Sequence, residues 1–157
     1  MELSADMKIA HTVKLSMFVG ENEDIQPVQY LFHRWLPLDW EKEKLSSEIQ
    51  KATSFEQKVI TIMTLTLAKE AHTSLFLKNL FSKLDAVQKL ILLHQLESRL
   101  DDELNFFIRL DKNKLLKENK YAVTDSGNCF HIKISVAAFP KKRKVAKEVV
   151  RKLLDVG

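Results

Sequence analysis

A chain of 157 residues with 45% hydrophobic and 29% charged side chains but only 3 Gly and 3 Pro is neither collagen-like nor disordered; it fits one helix-rich domain, 1–157, able to bury a core. The lone Cys129 excludes an internal disulfide, no run reaches the roughly 18 apolar residues of a membrane helix, and the opening MELSADMKIAHTVKLSMFVG has no signal-like apolar stretch, so a soluble, cytoplasmic protein with no membrane partner is expected. Net charge is +4 but uneven: Met1 to Asp111 carries 13 Lys/Arg against 17 Asp/Glu, and Lys112 to Gly157 carries 12 against 4, which is either a polyanion-facing side or a Lys-rich solvated helix.

In chain order, IAHTVKLSMFV alternates, with Ile9, Val13, Leu15 and Met17 on one parity and Thr12, Lys14 and Ser16 on the other, the pattern of a half-buried strand. DIQPVQYLFHRWL then spaces Ile25, Val28, Leu31, Phe32 and Trp35 as one helical face, with Asp24 placed to cap, Pro27 in the first turn and Pro37 as the stop. The excursion 38–55 gives no decisive pattern and reads equally as a short helix or a ragged strand. VITIMTLTL, rich in β-branched residues, predicts a strand with either parity inward.

SLFLKNLFSKL predicts a helix burying Leu77, Leu80, Phe81 and Leu84. A second helix restarts at Asp85, with Gln88 in capping-box spacing and an apolar stripe of Val87, Leu90, Ile91 and either Leu93 or Leu96. LNFFIRL places Leu104, Phe106, Ile108 and Leu110 inward and Asn105, Phe107 and Arg109 outward. After a short helix, DKNKLLKEN, and a polar loop, TDSGN, the last strand turns Phe130, Ile132, Ile134, Val136 and Ala138 to one face and His131, Lys133 and Ser135 to the other. Pro140 is read as the start of a final helix with a stripe of Val145, Val149, Val150, Leu153 and Leu154. The class is α+β: a mixed, largely antiparallel sheet with helices packed on one face.

Little here resembles catalytic machinery. Three glycines, at 20, 127 and 157, form no phosphate cradle, and five scattered histidines have no metal-ligand spacing, so no cofactor is expected. Cys129 and His131 share a strand face but are two ligands where a closed metal site needs more. Asp101, Asp102 and Glu103 have the chemistry for magnesium or acid/base work, yet an acidic trio between a helix and a strand reads better as a solvated loop. No nucleophile elbow or Cys–His pairing is present, so the protein is expected not to be an enzyme.

If the first strand, LNFFIRL and CFHIKIS are neighbours, then Lys14, Phe107, Arg109, His131 and Lys133 gather on the surface opposite the helices. Such a face offers cations to phosphates and an aromatic ring to an unstacked base. The alternative is that the 38–55 excursion covers Phe107 and the cations are ordinary solvated positions.

The stretch from Glu103 to Leu154 resembles a small archaeal family described as RNA-binding and as a predicted exosome-associated subunit. The matching residues are IRLDKN (Ile108 to Asn113), with Asn113 where the family has Gln, then FHIKISV (Phe130 to Val136), the pair Phe139-Pro140, and the basic helix from Lys141. The first strand and its following helix also fit, and so does LESRLDDE; Leu38 to Ser54 matches poorly. The resemblance implies a fold similar to that of a ribosomal large-subunit protein that contacts the small RNA of that subunit. It implies RNA as partner, with subunits of an RNA-processing complex as further partners, and it brings no catalytic residues.

The expected function is therefore non-catalytic binding of structured RNA with low sequence specificity. Lys14, Arg109 and Lys133 supply the sheet-face charge, and Lys112, Lys114, Lys141, Lys142 and Arg143 extend it along an adjoining edge. A protein-interaction subunit of an RNA-processing assembly is the alternative. PKKRKV, from Pro140 to Val145, matches a nuclear import signal, but its placement at a helix start argues against an exposed address label. The same placement sets three cations against the positive end of the helix dipole, at about 0.3–1 kcal/mol each.

Overall fold

The computed structural model describes residues 8–53, 55–125 and 127–155; MELSADM, Ser54, Ser126 of the TDSGN loop and the terminal Val156 and Gly157 lie outside the described residues. The order is β1 (Ala10–Val19), α1 (Gln26–Trp35), β2 (Glu48–Thr53), β3 (Val59–Leu67), α2 (Glu70–Lys83), α3 (Ala86–His94), α4 (Leu96–Arg99), β4 (Asn105–Asp111), α5 (Lys112–Glu118), β5 (Cys129–Val136) and α6 (Arg143–Leu153). The strands form one sheet in the order β2-β3-β1-β5-β4, and all four ladders are antiparallel. The predicted adjacency of the first strand, CFHIKIS and LNFFIRL is thus observed.

Alternation fixes which face is which. Val13, Leu15 and Met17 of β1, Met63, Leu65 and Leu67 of β3, Phe106 and Ile108 of β4, and Ile132 and Ile134 of β5 are buried beneath the helices. The odd parity of β3 is inward, which its sequence left open. Trp35 of α1 is central: it packs edge-on against Phe76 and Phe130, and its Nε1 donates to the Tyr121 hydroxyl at 2.7 Å, satisfying the polar handle of a buried ring.

Several local expectations shift. The excursion 38–55 contains a turn, held by Trp40 Nε1 donating to the Leu36 carbonyl, followed by β2, all six residues of which are exposed. An edge strand open on both faces carries no alternation, which is why its sequence gave no signal. Helix α3 is rotated from its predicted stripe: Val87 and Leu90 are exposed while Leu92 is buried, although Leu96, one of the two alternatives for the end of the stripe, is buried as expected at the start of α4. Asp85 caps the helix through the Gln88 amide, but the Gln88 side chain accepts from the Val123 amide rather than completing a capping box. That bond turns the Gln88 face inward, and Leu92, one turn on, follows it.

Helix α6 begins at Arg143, not Pro140. The Phe139–Pro140 peptide is cis, and the Lys142 amide donates to the Pro140 carbonyl in a tight turn before the helix. Only Arg143 of the three cations therefore lies within the helix.

Candidate nucleic-acid interface

The open face of the sheet is read directly from its ladders. Lys14 pairs with Thr66 on one side and Lys133 on the other, and Lys133 pairs in turn with Phe107, giving a row Thr66–Lys14–Lys133–Phe107. The next row runs Thr64–Ser16–His131–Arg109. Lys14, Phe107, Arg109 and Lys133 are exposed, and His131 is half-buried. A shallow depression of about 270 Å³ lies among Lys14, Phe18, Phe107, Arg109, His131 and Lys133. The 38–55 excursion pairs at the far edge, so it leaves Phe107 uncovered.

Phe18 belongs to this site although its sequence context does not single it out. It is 46% exposed and meets His131 edge-on, with ring centroids 5.9 Å apart. Extending the Thr12, Lys14, Ser16 parity by one more step finds it. Burial, and after it the Arg109 charge, pushes the His131 imidazole below its usual range, so at neutral pH the ring is an uncharged donor and acceptor. Burial likewise pushes the Cys129 thiol up, which keeps it protonated beside His131 Nε2 at 3.4 Å.

Arg109 is oriented by the loop that follows α5. Its Nη1 donates to the Asp125 carbonyl at 2.8 Å, while its own carbonyl accepts from the Thr124 amide at 2.8 Å. That loop is held from beneath by Arg99, which donates to the Asp125 carboxylate at 2.6 Å and to the carbonyls of Thr124 and Phe107. Arg99 is buried, and no local pattern in LESRL marks it as the residue that positions Arg109.

The remaining predicted cations do not form one adjoining edge. Lys112 is 1% exposed, and its Nζ donates at 2.7 Å to both the Glu23 carboxylate and the Phe18 carbonyl. It therefore ties the β1–α1 turn to α5 and offers nothing to a phosphate. Lys114 is exposed on α5, near the start of β5, whereas Lys141 and Lys142 are exposed beyond its end. The eight residues of β5 put about 23 Å between those two ends. Arg143 turns back: its guanidinium donates at 2.7 Å to the Glu97 carboxylate and to the carbonyls of Glu97 and Leu100. Carbonyls at the end of α4 thus neutralise the one cation that α6 carries at its first position.

Asn105, predicted outward, is on the open face but buried, held by Asp101 Oδ2. Asp101 also accepts from the amides of Glu103 and Asn105. Burial pushes the Asp101 carboxyl up, and these hydrogen bonds outweigh it to hold the group below its ordinary range. The acidic trio is thus a structural turn, and among the described residues no three His, Cys, Asp or Glu side chains are grouped to hold a metal ion. Nor is any described helix long and apolar enough to cross a membrane.

An open antiparallel sheet backed by helices, with a cationic and aromatic free face, places the chain in the α+β class. A family model described as RNA binding matches residues 12–136, and the chain belongs to that family. It is 25% identical over 147 residues to the RNA-binding protein PAB1135 of Pyrococcus abyssi, spanning 93% of this chain and 94% of that one. Two solved structures share the fold. Mth689, a DUF54 protein from Methanothermobacter thermautotrophicus, is 27% identical with a TM-score of 0.74, covering 94% of this chain and 99% of its own. AF2318 from Archaeglobus fulgidus, also DUF54, is 26% identical with a TM-score of 0.77, covering 93% and 99%.

Proposed function

We propose that this protein is a non-catalytic RNA-binding protein that holds structured RNA against the open face of its sheet. The observation that carries the reading is the row Lys14–Lys133–Phe107 beside Arg109, four accessible side chains with the chemistry to meet phosphate and an unstacked base. Lysine and arginine contacts to phosphate fix position without reading sequence, so base preference is weak and salt dependence steep, log K falling by about 0.7–0.9 per neutralised phosphate. Lys114, Lys141 and Lys142 flank the face at its two ends and lengthen the track available to a backbone. The whole chain acts as one RNA-binding domain in the cytoplasm, in keeping with the unpaired, buried thiol of Cys129.

The test is titration of an RNA hairpin and its single-stranded counterpart at two salt concentrations with wild type and with Lys133→Glu and Arg109→Glu. Weakened binding and a shallower salt slope in both variants are expected; unchanged affinity in both would remove the sheet face from the site.

A second reading, a subunit that docks onto an RNA-processing assembly such as an exosome, is favoured by a different surface. A groove of about 830 Å³ is lined by Tyr30, His33, Trp40, Gln29, Asp24 and Ser47, without a lysine or arginine. His33 and Trp40 stack there with centroids 3.9 Å apart. An aromatic groove of that kind suits a protein surface better than phosphate. Failure of all RNA binding at low salt, together with stable co-purification of such an assembly, would favour this reading.

A further inference from the structure

The two edges of the sheet are treated differently. Along β4 the outward-facing backbone is closed by neighbouring segments. The Asn105 carbonyl accepts from the Asp101 amide, the Phe107 carbonyl from Arg99, and the Arg109 carbonyl from the Thr124 amide, while the Asp111 amide donates to the Ala122 carbonyl. At the other edge, β2 pairs with β3 in an unbroken register from Glu48↔Thr64 to Thr53↔Val59, and among the described residues no segment lies along its second side. β2 has no proline or bulge, and Ile49 within it is 49% exposed. An edge of six regular residues without those devices is a template for another strand.

We propose that the strand it takes is β2 of a second copy, paired antiparallel about a two-fold axis at Gln50. The occupant follows from symmetry and charge. Directly opposed residues of an antiparallel pair share a sheet face, so a two-fold axis normal to the sheet must pass through a residue pair. Centring on Lys51 would set it against the partner's Lys51, and centring on Ile49 would leave half of the strand unpaired. Centring on Gln50 places Gln50 against the partner's Gln50, Ile49 against the partner's Lys51, and Glu48 against the partner's Ala52. No like charges then face each other, the aliphatic stem of each lysine covers an exposed isoleucine, and the strand's single Glu and single Lys leave it without net charge.

The two open faces remain on the same side of a ten-stranded sheet. The pairing stands on edge geometry alone; its consequence, one continuous cationic surface from two copies, rests on the sheet-face reading of RNA binding. One six-residue strand gives a small interface, so association is weak and concentration-dependent.

Sedimentation of the full chain without RNA, from low to high micromolar concentration, tests this. The weight-average mass is expected to rise above the 18.2 kDa of one chain as concentration increases. Ile49→Lys sets lysine against the partner's Lys51 twice and should hold the protein monomeric. Adding Lys51→Glu converts both clashes into opposite-charge pairs and should restore association, which also shows that lysine at position 49 is compatible with the fold; circular dichroism of the single variant, matching wild type, shows that it is folded. Oxidation should cross-link a Gln50→Cys protein and not a Thr53→Cys protein. A wild type that stays monomeric throughout, an Ile49→Lys protein that associates as wild type does, or a double variant that stays monomeric would overturn the proposal. Because Lys133→Glu should lose RNA yet still associate, failure of the RNA reading is distinguishable from failure of the pairing.

Discussion

Lys14 and Lys133 stand directly opposite one another across the β1–β5 ladder, both exposed on the open face of the sheet. Like charges at directly opposed strand positions repel, so the free protein bears a cost that, on the proposed function, a phosphate bound between them would remove. Lys14→Glu replaces the repulsion with an attractive pair. It is expected to raise stability to denaturant by about 0.2–1 kcal/mol while weakening RNA binding and reducing the salt slope by about 0.7–0.9 for each phosphate no longer neutralised. Paired denaturation and RNA titrations check this, and a variant that loses stability and keeps affinity would contradict it.

Phe107 is predicted to contribute through stacking and not through charge. Phe107→Ala should weaken binding of RNA with unpaired bases by about 1–3 kcal/mol per stacked base and leave the salt slope unchanged, while Phe107→Trp should retain affinity. Perfect duplex RNA, which offers no base face to the ring, should bind both variants as it binds wild type. A salt slope that changes on removal of the ring would show that the effect is indirect.

The contrast between Lys14 and Lys112 shows what can be read from sequence in this chain. Lys14, Arg109 and Lys133 lie in strands with strict alternation, so their outward direction follows from parity, and the residues burying the opposite face are legible for the same reason. Lys112 sits in LDKNKLL, a pattern that reads as a solvated helix start, and its burial depends on a carboxylate 89 positions earlier. Arg143 likewise looks like part of a basic run until its acceptors, 43 and 46 residues back, are brought beside it. The rotation of α3 is hidden because LILL offers apolar residues on more than one face, and the face that turns inward is the one whose Gln88 side chain accepts from the Val123 amide of a later loop. Local period reports direction well, whereas long-range pairing of a charged side chain leaves no local trace.

Lys112 is accordingly expected to be a stability residue. Lys112→Met keeps the buried chain length but takes the ammonium donor from the Phe18 carbonyl and leaves the Glu23 carboxylate with the Gly20 amide, at a cost of about 1–3 kcal/mol. RNA affinity of the folded variant should match wild type. The Glu23 carboxyl is held below its usual range, first by the hydrogen bond from Lys112. A carboxylate with a depressed folded pKa contributes stability that is present above its unfolded pKa and lost as pH falls through the folded value. Stability followed with pH should therefore show a shallower acid decline in Lys112→Met.

Arg143 and Glu97 form the second acid-sensitive tie, and here the affected element is α6. Hydrogen bonds from Arg143, and then from Lys147, lower the Glu97 carboxyl to about 2. The stability it contributes is complete above the ordinary glutamate range and declines as pH falls from there toward about 2. Arg143→Ala removes the donors shared between that carboxylate and the carbonyls of Glu97 and Leu100, and should lower stability through loosened docking of α6, with most of the loss at the carbonyls because the exposed carboxylate is screened by water. Arg143→Lys should not restore this, because a single ammonium cannot reproduce the planar fork that reaches all three acceptors. Amide hydrogen exchange should register the change first in the opening turn of α6, with the β1–β5 ladder still protected. If protection instead fell uniformly across the sheet, Arg143 would be holding the whole core together and not only the docking of this helix.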